Sequence, residues 1–296
     1  MRLGYACINT TLPTKFRTCR LATFQKNGHE TIKELTIHNL ENVYKALHWN
    51  VDHQILFYRM STEIVPLGSH QEMEWEWWKD EDIIRISGEI KDFKEKHDLR
   101  LSMHPGQFTV LSTPREDVLE RSFGDLEYHD KLLNLVGGTD MIIHGGGQYG
   151  NMDLAKDRFI SSYKKLSSSI KEKLRLENDD RTYQLQDVID ISESSGIPIC
   201  FDIHHHVCHN DGKPLPPMIE KVFNSWSDKM IPKVHISSGK THEKDRSHHE
   251  YVFKDDFKRL LDVLDGRNSD IMLEAKLKEQ AVLRIQKEFF QKGSDY

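Results

Sequence analysis

Eight short apolar runs alternate with amphipathic stretches along this chain, and this alternation limits the possible folds more than any other feature. Each apolar run has the length of a buried strand, and apolar residues in the following stretch recur at helical spacing. The predicted strands cover residues 3–8, 55–59, 100–104, 140–144, 174–177, 199–202, 232–237 and 271–274. The predicted helices lie within residues 31–49, 80–97, 116–136, 154–174, 184–194, 217–226, 255–264 and 279–290.

Strands that alternate with helices form parallel sheets through right-handed crossovers. Eight such units in 296 residues match the size of a closed (β/α)8 barrel, the TIM barrel. No linker rich in Pro, Gly or Ser and no shift in composition divides the sequence. We therefore expect an α/β fold with one TIM-barrel domain over residues 1–296, and we expect its chemistry at the carboxyl ends of the strands.

Six of the predicted strands carry a histidine or an acidic residue at or near the carboxyl end, which a hydrophobic core does not require. The run FDIHHH at residues 201–206 is the clearest case, because an apolar strand passes directly into an acid and three histidines. The spacing between strand ends is one strand–helix unit, so all six side chains are expected at one mouth of the barrel. These residues are His104, His144, Glu177, Asp202, His235 and Glu274.

A metal cluster is the expected explanation for this convergence. One such histidine alone is more often a hydrogen-bonded structural residue, but several charges crowded at one mouth repel each other and are costly to desolvate. Carboxylate and imidazole are ligands for Mn, Zn or Fe, so divalent ions would hold the group together. His70, His205 and His248, in the loops after the second, sixth and seventh strands, are candidates to join it.

Lys233 lies two residues before His235, and the period of a strand puts both side chains on the same face. If that face is the barrel interior, the amine lies beside the expected metal ligands. A buried lysine is costly as a cation, so it is expected to be neutral, carboxylated, or paired with Glu177 or Glu274. The alternative is a lysine at the rim that extends to solvent.

The formal net charge of -6 argues mildly against a nucleic acid partner. Three divalent ions held by carboxylates would cancel that charge, and Lys15, Arg17, Arg20 and Lys26 form a local basic segment. Charge therefore leaves the partner open. No apolar run approaches the ~20 residues of a membrane span, and neither a signal peptide nor a CxxC pair is present, so we expect a cytoplasmic protein with reduced cysteines.

Eight segments, taken together, resemble the ultraviolet damage endonuclease (UVDE) family. The resemblance runs through nearly the whole chain in the family's order, and it is specific because many short segments agree although MIIHGG alone is weak. The segments are GYACIN at 4–9, RMSTEIVPLGSH at 59–70, SMHPGQF at 102–108, MIIHGG at 141–146, LRLEND at 174–179, FDIHHH at 201–206, PKVHIS at 232–237 and MLEAKLK at 272–278.

The resemblance implies a TIM barrel related to endonuclease IV, with up to three divalent ions, commonly Mn2+, with Zn2+, Co2+ or Mg2+ as other candidates. It implies double-stranded DNA with ultraviolet lesions as partner, and incision on the 5′ side of pyrimidine dimers and 6-4 products that leaves a 3′-hydroxyl and a 5′-phosphate. Such ions activate water for attack on phosphorus and stabilise the departing 3′ oxygen.

The resemblance also implies roles for individual residues. Three sets of ligands are expected, with Glu177 shared between the first two. They are His104, His144 and Glu177 with His70 nearby, then Glu177, Asp202, His235 and Glu274, and then His205 with His248. The HHEY context favours His248 over the adjacent His249. Lys233 matches a family lysine that can be carboxylated, and the catalytic residues implied are Glu177, Lys233, His235 and Glu274.

Lesion recognition is expected in the loops around the mouth, because damaged bases are easier to extrude than normal ones. Gln107 and Phe108 match the family's Gln-aromatic pair that probes the base stack, and Tyr5 and Asn9 match pocket residues near the lesion. The family often has tyrosine where this chain has Phe108, so stacking is the role that carries over. Without the resemblance, Phe108 is expected to be a loop aromatic packed against the barrel, and Tyr5 a barrel-interior residue.

Two other functions stay open on the sequence. A xylose-isomerase-like sugar isomerase or epimerase also gathers Glu, Asp and His at strand ends, but it does not require the Gln107–Phe108 probe or a third ion. A metal-dependent module that binds damaged DNA without cutting it is the second, and the intact set of ligands argues against it. We expect a monomer without membrane attachment.

Overall fold

Eight parallel strands close into a barrel in the computed structural model, which describes residues 1–290. Each strand pairs with the next along the chain, and the last pairs with the first. The predicted TIM barrel is therefore confirmed. The strands are β1 (Leu3–Cys7), β2 (Phe57–Met60), β3 (Arg100–Met103), β4 (Asp140–His144), β5 (Leu174–Glu177), β6 (Ile199–Asp202), β7 (Lys233–Ile236) and β8 (Asp270–Leu273).

Helices connect the strands, and a short 3-10 helix, Trp77–Lys79, lies in the connection after β2. None of the helices within residues 1–290 is long and apolar enough to cross a membrane. The helices are α1 (Leu21–Asn27), α2 (His29–Asp52), α3 (Glu81–Lys96), α4 (Glu116–Val136), α5 (Met152–Lys165), α6 (Ser168–Lys173), α7 (Leu185–Ser195), α8 (Ile203–Cys208), α9 (Leu215–Asn224), α10 (Lys254–Leu264) and α11 (Lys278–Phe289).

Three of these helices were not predicted, each for a local reason. The stretch 154–174 is two helices, because Leu166 is extended and the Ser167 hydroxyl caps the next helix by accepting from the backbone N–H of Ile170. Helix α1 buries none of its residues, so it has no apolar periodicity to detect. Helix α8 starts directly at the end of β6, because the Asp202 side chain accepts from the backbone N–H of His205.

The two faces of the barrel strands have different chemistry. Residues such as Val234 and Ile236 pack outward into the large apolar layer beneath the helices. The inward face carries a small apolar cluster of Ala6, Phe57 and Met272 together with charged side chains. Charged groups inside a barrel require partners, so the interior is held by ion pairs as well as by packing.

An ion-pair layer fills the amino-terminal half of the barrel interior. The Arg100 guanidinium lies between two buried carboxylates, one on the adjacent strand β4 and one on β8. Its Nε is 3.0 Å from Asp140 Oδ2, and one terminal nitrogen is 3.0 Å from Asp270 Oδ2. Arg2 also contacts Asp270 Oδ2 at 3.0 Å. Arg100, Asp140 and Asp270 begin β3, β4 and β8, so this layer lies below the strand ends that form the mouth.

Candidate metal centre

Three groups of histidine and acidic side chains converge at the carboxyl ends of the strands. Within each group the potential ligand atoms lie within 4.8 Å of one another. The first group is His104, His144 and Glu177, the second is Glu177, Asp202 and His205, and the third is Asp202, His235 and Glu274. Because Glu177 and Asp202 each belong to two groups, the three groups form one continuous cluster.

Strand register brings these side chains together. His144, Glu177 and Asp202 are the last residues of their strands, and His104 and Glu274 each follow a strand directly. In the parallel ladder His144 lies beside Glu177, and Asp202 lies beside His235. The sequence-based expectation that six strand ends meet at one rim therefore agrees with the geometry.

Glu177 is the centre of the cluster and has no exposed surface. Its Oε2 lies 3.1 Å from His104 Nε2 and 3.2 Å from His144 Nε2, and its Oε1 lies 2.8 Å from His235 Nδ1. Burial acts to raise the pKa of Glu177, but the neighbouring His235 and His144 outweigh it and hold the pKa well below its usual value. The carboxylate is therefore charged at neutral pH and surrounded by imidazoles.

Asp202 and His235 each leave one buried polar atom unsatisfied. The Asp202 Oδ1 accepts from the backbone N–H of His205 at 2.7 Å, and Asn178 binds the Asp202 backbone at both its N–H and its carbonyl. By contrast, Asp202 Oδ2 and His235 Nε2 have no hydrogen-bond partner among residues 1–290. Buried polar atoms are nearly always paired, so these two fit the donor set of a bound cation.

Two histidines of the cluster have pKa values shifted in opposite directions. Burial lowers the pKa of His104 to about 4, so its imidazole is neutral near pH 7, the form that binds metal. Burial also acts to lower the pKa of His205, but the carboxylates of Asp202 and Glu177 outweigh it and raise the pKa to about 9. The carboxylates thus favour a positive charge at this position, which a bound cation would also supply.

Arg59 is a residue of this site that the sequence reasoning missed. It lies on β2 with 11% of its side chain exposed, and it forms an ion pair with Glu274. Burial acts to lower the pKa of Arg59, but Glu274 outweighs it and the pKa is raised. A signal was present, because Arg59 shares a strand face with the buried Phe57 and is charged. Its partner, however, lies 215 residues away along the chain.

Lys233 lies in the barrel interior, as the strand-face reasoning allowed, but of its expected states the pairing with Glu177 or Glu274 is not found. Its Nζ is 3.3 Å from Asp140 Oδ1 and 3.0 Å from the Ser102 hydroxyl. Lys233 starts β7, and two residues along a strand separate it from His235 by about 6.6 Å. It therefore belongs to the ion-pair layer below the cluster, and burial lowers the pKa of its amine.

Of the loop histidines His70 and His248, which were predicted to join the cluster, only His248 approaches it. His70 lies outside the three groups found in residues 1–290, and its Nδ1 accepts from the backbone N–H of Glu72 at 3.2 Å. His248 Nδ1 lies 3.9 Å from Glu274 Oε2, whereas the His249 ring packs at a tilt against Phe253 and accepts from a backbone N–H. His248 therefore faces the cluster and His249 does not.

The predicted pairing of His205 with His248 differs from the geometry. His205 is grouped with Glu177 and Asp202, because the turn from β6 into α8 places it over the end of its own strand. Its Nδ1 lies 3.6 Å from Glu177 Oε1 and 3.8 Å from Asp202 Oδ2. His248, on a later loop, approaches the cluster from the side of Glu274.

A cleft of about 920 Å³ opens over the cluster. Its walls include His104, His144 and Glu274 from the cluster and Gln107 from the loop after β3. Phe108, the next residue, is 81% exposed, so the alternative that it packs against the barrel is wrong. The two residues expected to probe DNA thus lie at the surface beside the mouth.

Tyr5 and Asn9 do not line this cleft, contrary to the expectation of lesion contact. Tyr5 has no exposed surface, and its hydroxyl donates to Asn50 of α2 at 2.7 Å. It points outward from the barrel because the neighbouring Ala6 takes the inward face of β1, so the alternative of a barrel-interior residue is also wrong. The buried Asn9 amide donates to the Tyr5 hydroxyl, and its Oδ1 accepts from the backbone N–H of Thr11. Both residues support the loop after β1.

Known proteins share this architecture. A "UV DNA damage endonuclease" of Bacillus thuringiensis subsp. konkukian is 36% identical over 306 aligned residues, which cover 96% of this chain and 93% of that protein. The crystal structure of SacUVDE superposes with a TM-score of 0.89 at 34% identity, covering 97% of this chain and 98% of that one.

More distant structures share the fold alone. Endonuclease IV from Thermus thermophilus has a TM-score of 0.59 at 14% identity, covering 83% of this chain and 93% of that one. A 3-keto-D-glucoside 4-epimerase from E. coli has a TM-score of 0.62 at 12% identity, covering 97% of this chain and 98% of that one. The barrel by itself therefore does not separate nucleases from sugar epimerases.

The family profile described as "UV-endonuclease UvdE" matches residues 1–293, nearly the whole sequence. Together with a relative that is 36% identical over almost its full length, this match identifies the family predicted from the eight sequence segments. The chain belongs to the UV-endonuclease UvdE family.

Proposed function

We propose that this protein is a metal-dependent DNA repair endonuclease that nicks the strand immediately 5′ of ultraviolet photoproducts. The products would carry a 3′-hydroxyl and a 5′-phosphate, and the lesions would include pyrimidine dimers and 6-4 products. Family membership supports an endonuclease for ultraviolet-damaged DNA. The observation that carries the proposed chemistry is the continuous cluster in which Glu177 and Asp202 each belong to two potential metal groups.

Divalent ions held by these groups would supply Lewis-acid activation of water and stabilisation of the charge that develops on the phosphate. The groups contain only carboxylate and imidazole donors, which suit Mn2+ and Zn2+, and we propose Mn2+ with up to three ions, with Co2+ and Mg2+ as other candidates. His248 would complete the set from the side of Glu274, and His70 would act at its edge.

The residues around the ions would position them and the DNA. Glu177 would bridge two ions, and His235 would hold the inner face of the cluster next to Glu274. Arg59 would fix the orientation of Glu274 through their ion pair. Lys233 would act indirectly, because its contacts are with Asp140 and Ser102 below the cluster.

Gln107 and Phe108 are proposed to read the lesion. They follow His104 by three and four residues, so a base pair opened at this loop lies next to the metal centre. An exposed aromatic ring on a loop can stack in the gap left by an extruded base, and stacking of this kind is worth about 1–3 kcal/mol per base. Damaged bases pair weakly, so their extrusion costs less than that of normal bases.

The proposed activity is tested with purified protein and one end-labelled duplex that carries a single pyrimidine dimer. We expect one nick 5′ of the dimer in the presence of Mn2+, no nick after EDTA treatment, and no cut in the undamaged duplex. A 3′-hydroxyl at the nick would be read out by extension with a polymerase. Intact strands with every common divalent ion present would refute the nuclease function and favour a sugar substrate, which the family match does not favour.

Replacing Gln107 and Phe108 with Ala is expected to weaken binding to the dimer-containing duplex by about 10-fold or more, while the metal content stays unchanged. The side chains lie at the surface beside the cluster and are not members of its groups. Binding is measured by fluorescence anisotropy and metal content by mass spectrometry. Ile84→Ala, at an exposed apolar residue of α3, serves as the control and is expected to change neither.

Equal losses of lesion binding and metal content in the Gln107→Ala/Phe108→Ala variant would contradict this assignment. They would mean that the loop after β3 supports the metal ligands and does not contact the lesion.

The cytoplasmic location and the monomeric state remain predictions from the sequence.

A further inference from the structure

A second recess lies beside the loop that follows β1, and nothing in the metal centre accounts for it. It encloses about 560 Å³ between residues 12–17 and one face of α2. We call it the basic recess. Its polar lining comes from Lys15, Arg17, His38, Asn42 and Lys45.

The cations of the basic recess lack acidic partners. Lys15, Arg17 and Lys45 are exposed, and no carboxylate lies within 4.0 Å of any of them in the part of the chain that the structure describes. Lys33, on the same helix, is different because it pairs with both Asp80 and Asp82. In a chain with a formal net charge of -6, cations without a counter-ion are available to an anionic ligand.

The charge of the surrounding segment is also one-sided. The first acidic residue of the sequence is Glu30, whereas Lys15, Arg17, Arg20 and Lys26 all precede it. The rest of the chain therefore carries the whole negative excess, and the segment before α2 is a local positive patch on an acidic protein. Phosphate groups are attracted to such a patch. Because the rest of the protein is acidic, this attraction is confined to one part of the surface.

Buried amides of α2 hold the recess in shape. Asn39 accepts from the backbone N–H of Arg17 at 2.8 Å and donates to its carbonyl at 2.9 Å, while Asn42 donates to the Lys15 carbonyl at 3.1 Å. His38 Nε2 also lies 3.1 Å from the Lys15 carbonyl. The backbone at Lys15 and Arg17 is thus bound to the helix, so little backbone conformational entropy remains to be lost when a ligand binds.

The basic recess lies at the same end of the barrel as the metal centre. Asn39 also donates to the carbonyls of Glu63 and Ile64, in the connection that leaves β2 at the mouth. Nearer to β1 in the same loop, Thr10 and Thr11 bind Glu279 in the first turn of α11, which starts just after β8. The recess is therefore on the flank of the mouth formed by β1, β2 and β8, whose residues Arg59 and Glu274 line the cleft.

We propose that the basic recess binds backbone phosphates of the DNA duplex on one side of the lesion, beyond the cleft. This inference rests on the proposed function and adds the path of the DNA arm to it. A duplex whose damaged step lies over the metal cluster continues past the rim on both sides, and the basic recess lies on one flank of that rim. The recess would therefore contact one arm of the duplex and not the other.

The proposal is tested by binding without cleavage, using protein treated with EDTA and a fluorescent duplex with one dimer. Lys15→Ala/Arg17→Ala/Lys45→Ala is compared with Lys91→Ala/Lys96→Ala/Lys287→Ala, which removes the same charge from exposed lysines towards the other ends of α3 and α11. Each phosphate interaction that the variant removes should reduce the slope of log K against log salt by about 0.9 and the affinity in 0.1 M salt by about tenfold. The control triple variant should keep the wild-type slope.

Truncating the duplex supplies a second readout. For the wild type, shortening one arm should weaken binding and shortening the other should not, while the basic-recess variant should show no such asymmetry. Equal salt slopes for the basic-recess variant and the wild type, or equal arm dependence, would overturn the proposal. Displacement of the duplex by millimolar inorganic phosphate regardless of arm length would also overturn it, because it would indicate a small-anion site.

The same measurements separate this inference from the proposed function. Binding and its arm dependence are read with no metal and no cleavage, and an undamaged duplex can be used in parallel. If the wild type does not nick the dimer-containing duplex but the arm asymmetry is present and disappears in the basic-recess variant, the DNA contact stands and the endonuclease assignment fails. If the wild type nicks the dimer-containing duplex but shows no arm asymmetry, the endonuclease assignment stands and the DNA contact at the basic recess is rejected.

Discussion

Replacing Glu177 with Gln is expected to abolish nicking of dimer-containing duplex while the barrel stays folded. Glu177 belongs to two of the three potential metal groups and lies within 3.2 Å of His104, His144 and His235. Gln keeps the shape of the side chain but removes the negative charge that both groups share. Substituting a residue that only supports a metal ligand lowers metal affinity or activity by about 10–100-fold. Loss of a shared ligand should therefore lower the nicking rate by more than about 100-fold.

The Glu177→Gln variant is assessed by nicking rate, bound metal per protein and thermal melting. Glu120→Gln, an exposed substitution of the same type on α4, is the matched control and is expected to leave all three unchanged. Full metal content with full loss of nicking would restrict Glu177 to the chemical step. A collapse of the melting temperature with residual nicking would contradict the bridging role and make Glu177 a structural residue.

The barrel was predictable because its signals are local. Helix α4 and strands β4, β5 and β6 occupy the residues predicted for them, since each apolar run is short and bounded by polar residues or glycine. The predicted helix at 154–174 failed because one extended residue, Leu166, interrupts a pattern that stays apolar on both sides. Capping at Ser167 depends on a single hydrogen bond, which periodicity does not register.

The candidate site was predictable to the extent that it follows from strand ends. His104, His144 and Glu177 meet because parallel strands of one barrel end at one rim, and this needs no knowledge of side-chain contacts. Tyr5 was misplaced because alternation along β1 gives two faces and does not say which is inward. Arg59 was missed because its role appears only when β2 and β8 are brought together, far apart in the sequence.

For Lys233, the sequence did not determine the depth of the side chain along the barrel axis. The sequence left its side chain either inside the barrel or at the rim, and the side chain is inside, since it has no exposed surface. Its partner depends on the depth at which β7 enters the barrel relative to β4, which is set by the stagger of the closed sheet and not by the period of two. The partner is therefore Asp140, the first residue of β4, and the ion-pair layer beneath the metal centre is a separate structural element.

Replacing Asp140 with Asn is expected to lower the free energy of unfolding by about 3–5 kcal/mol at pH 7. Asp140 is fully buried, and it contacts both Arg100 and Lys233, so the variant leaves two buried cations short of a counter-charge. Urea unfolding measures the change. Asp98→Asn is the control, because Asp98 pairs with Arg2 at the exposed edge of the same layer, and exposed pairs contribute about 1 kcal/mol or less.

The lowered pKa of Asp140 determines how this loss of stability changes with pH. Burial acts to raise the pKa of Asp140, but Arg100 and Lys233 outweigh it and lower the pKa below the ordinary value of 3.8. A carboxyl with a lowered pKa stabilises the folded state above its unfolded pKa, and this contribution is lost as the pH falls through the folded value. The difference in unfolding free energy between wild type and Asp140→Asn should therefore be largest near pH 7 and shrink below about pH 4.

Adding Lys233→Met to Asp140→Asn should restore part of the lost stability, because removing one unpaired cation removes its desolvation cost. The two residues touch, so the double-mutant cycle should show a coupling of about 0.5–3 kcal/mol. A difference that stays constant from pH 7 to pH 3, together with additive effects of the two substitutions, would contradict the ion pair. The destabilisation would then come from packing around the introduced amide and not from charge.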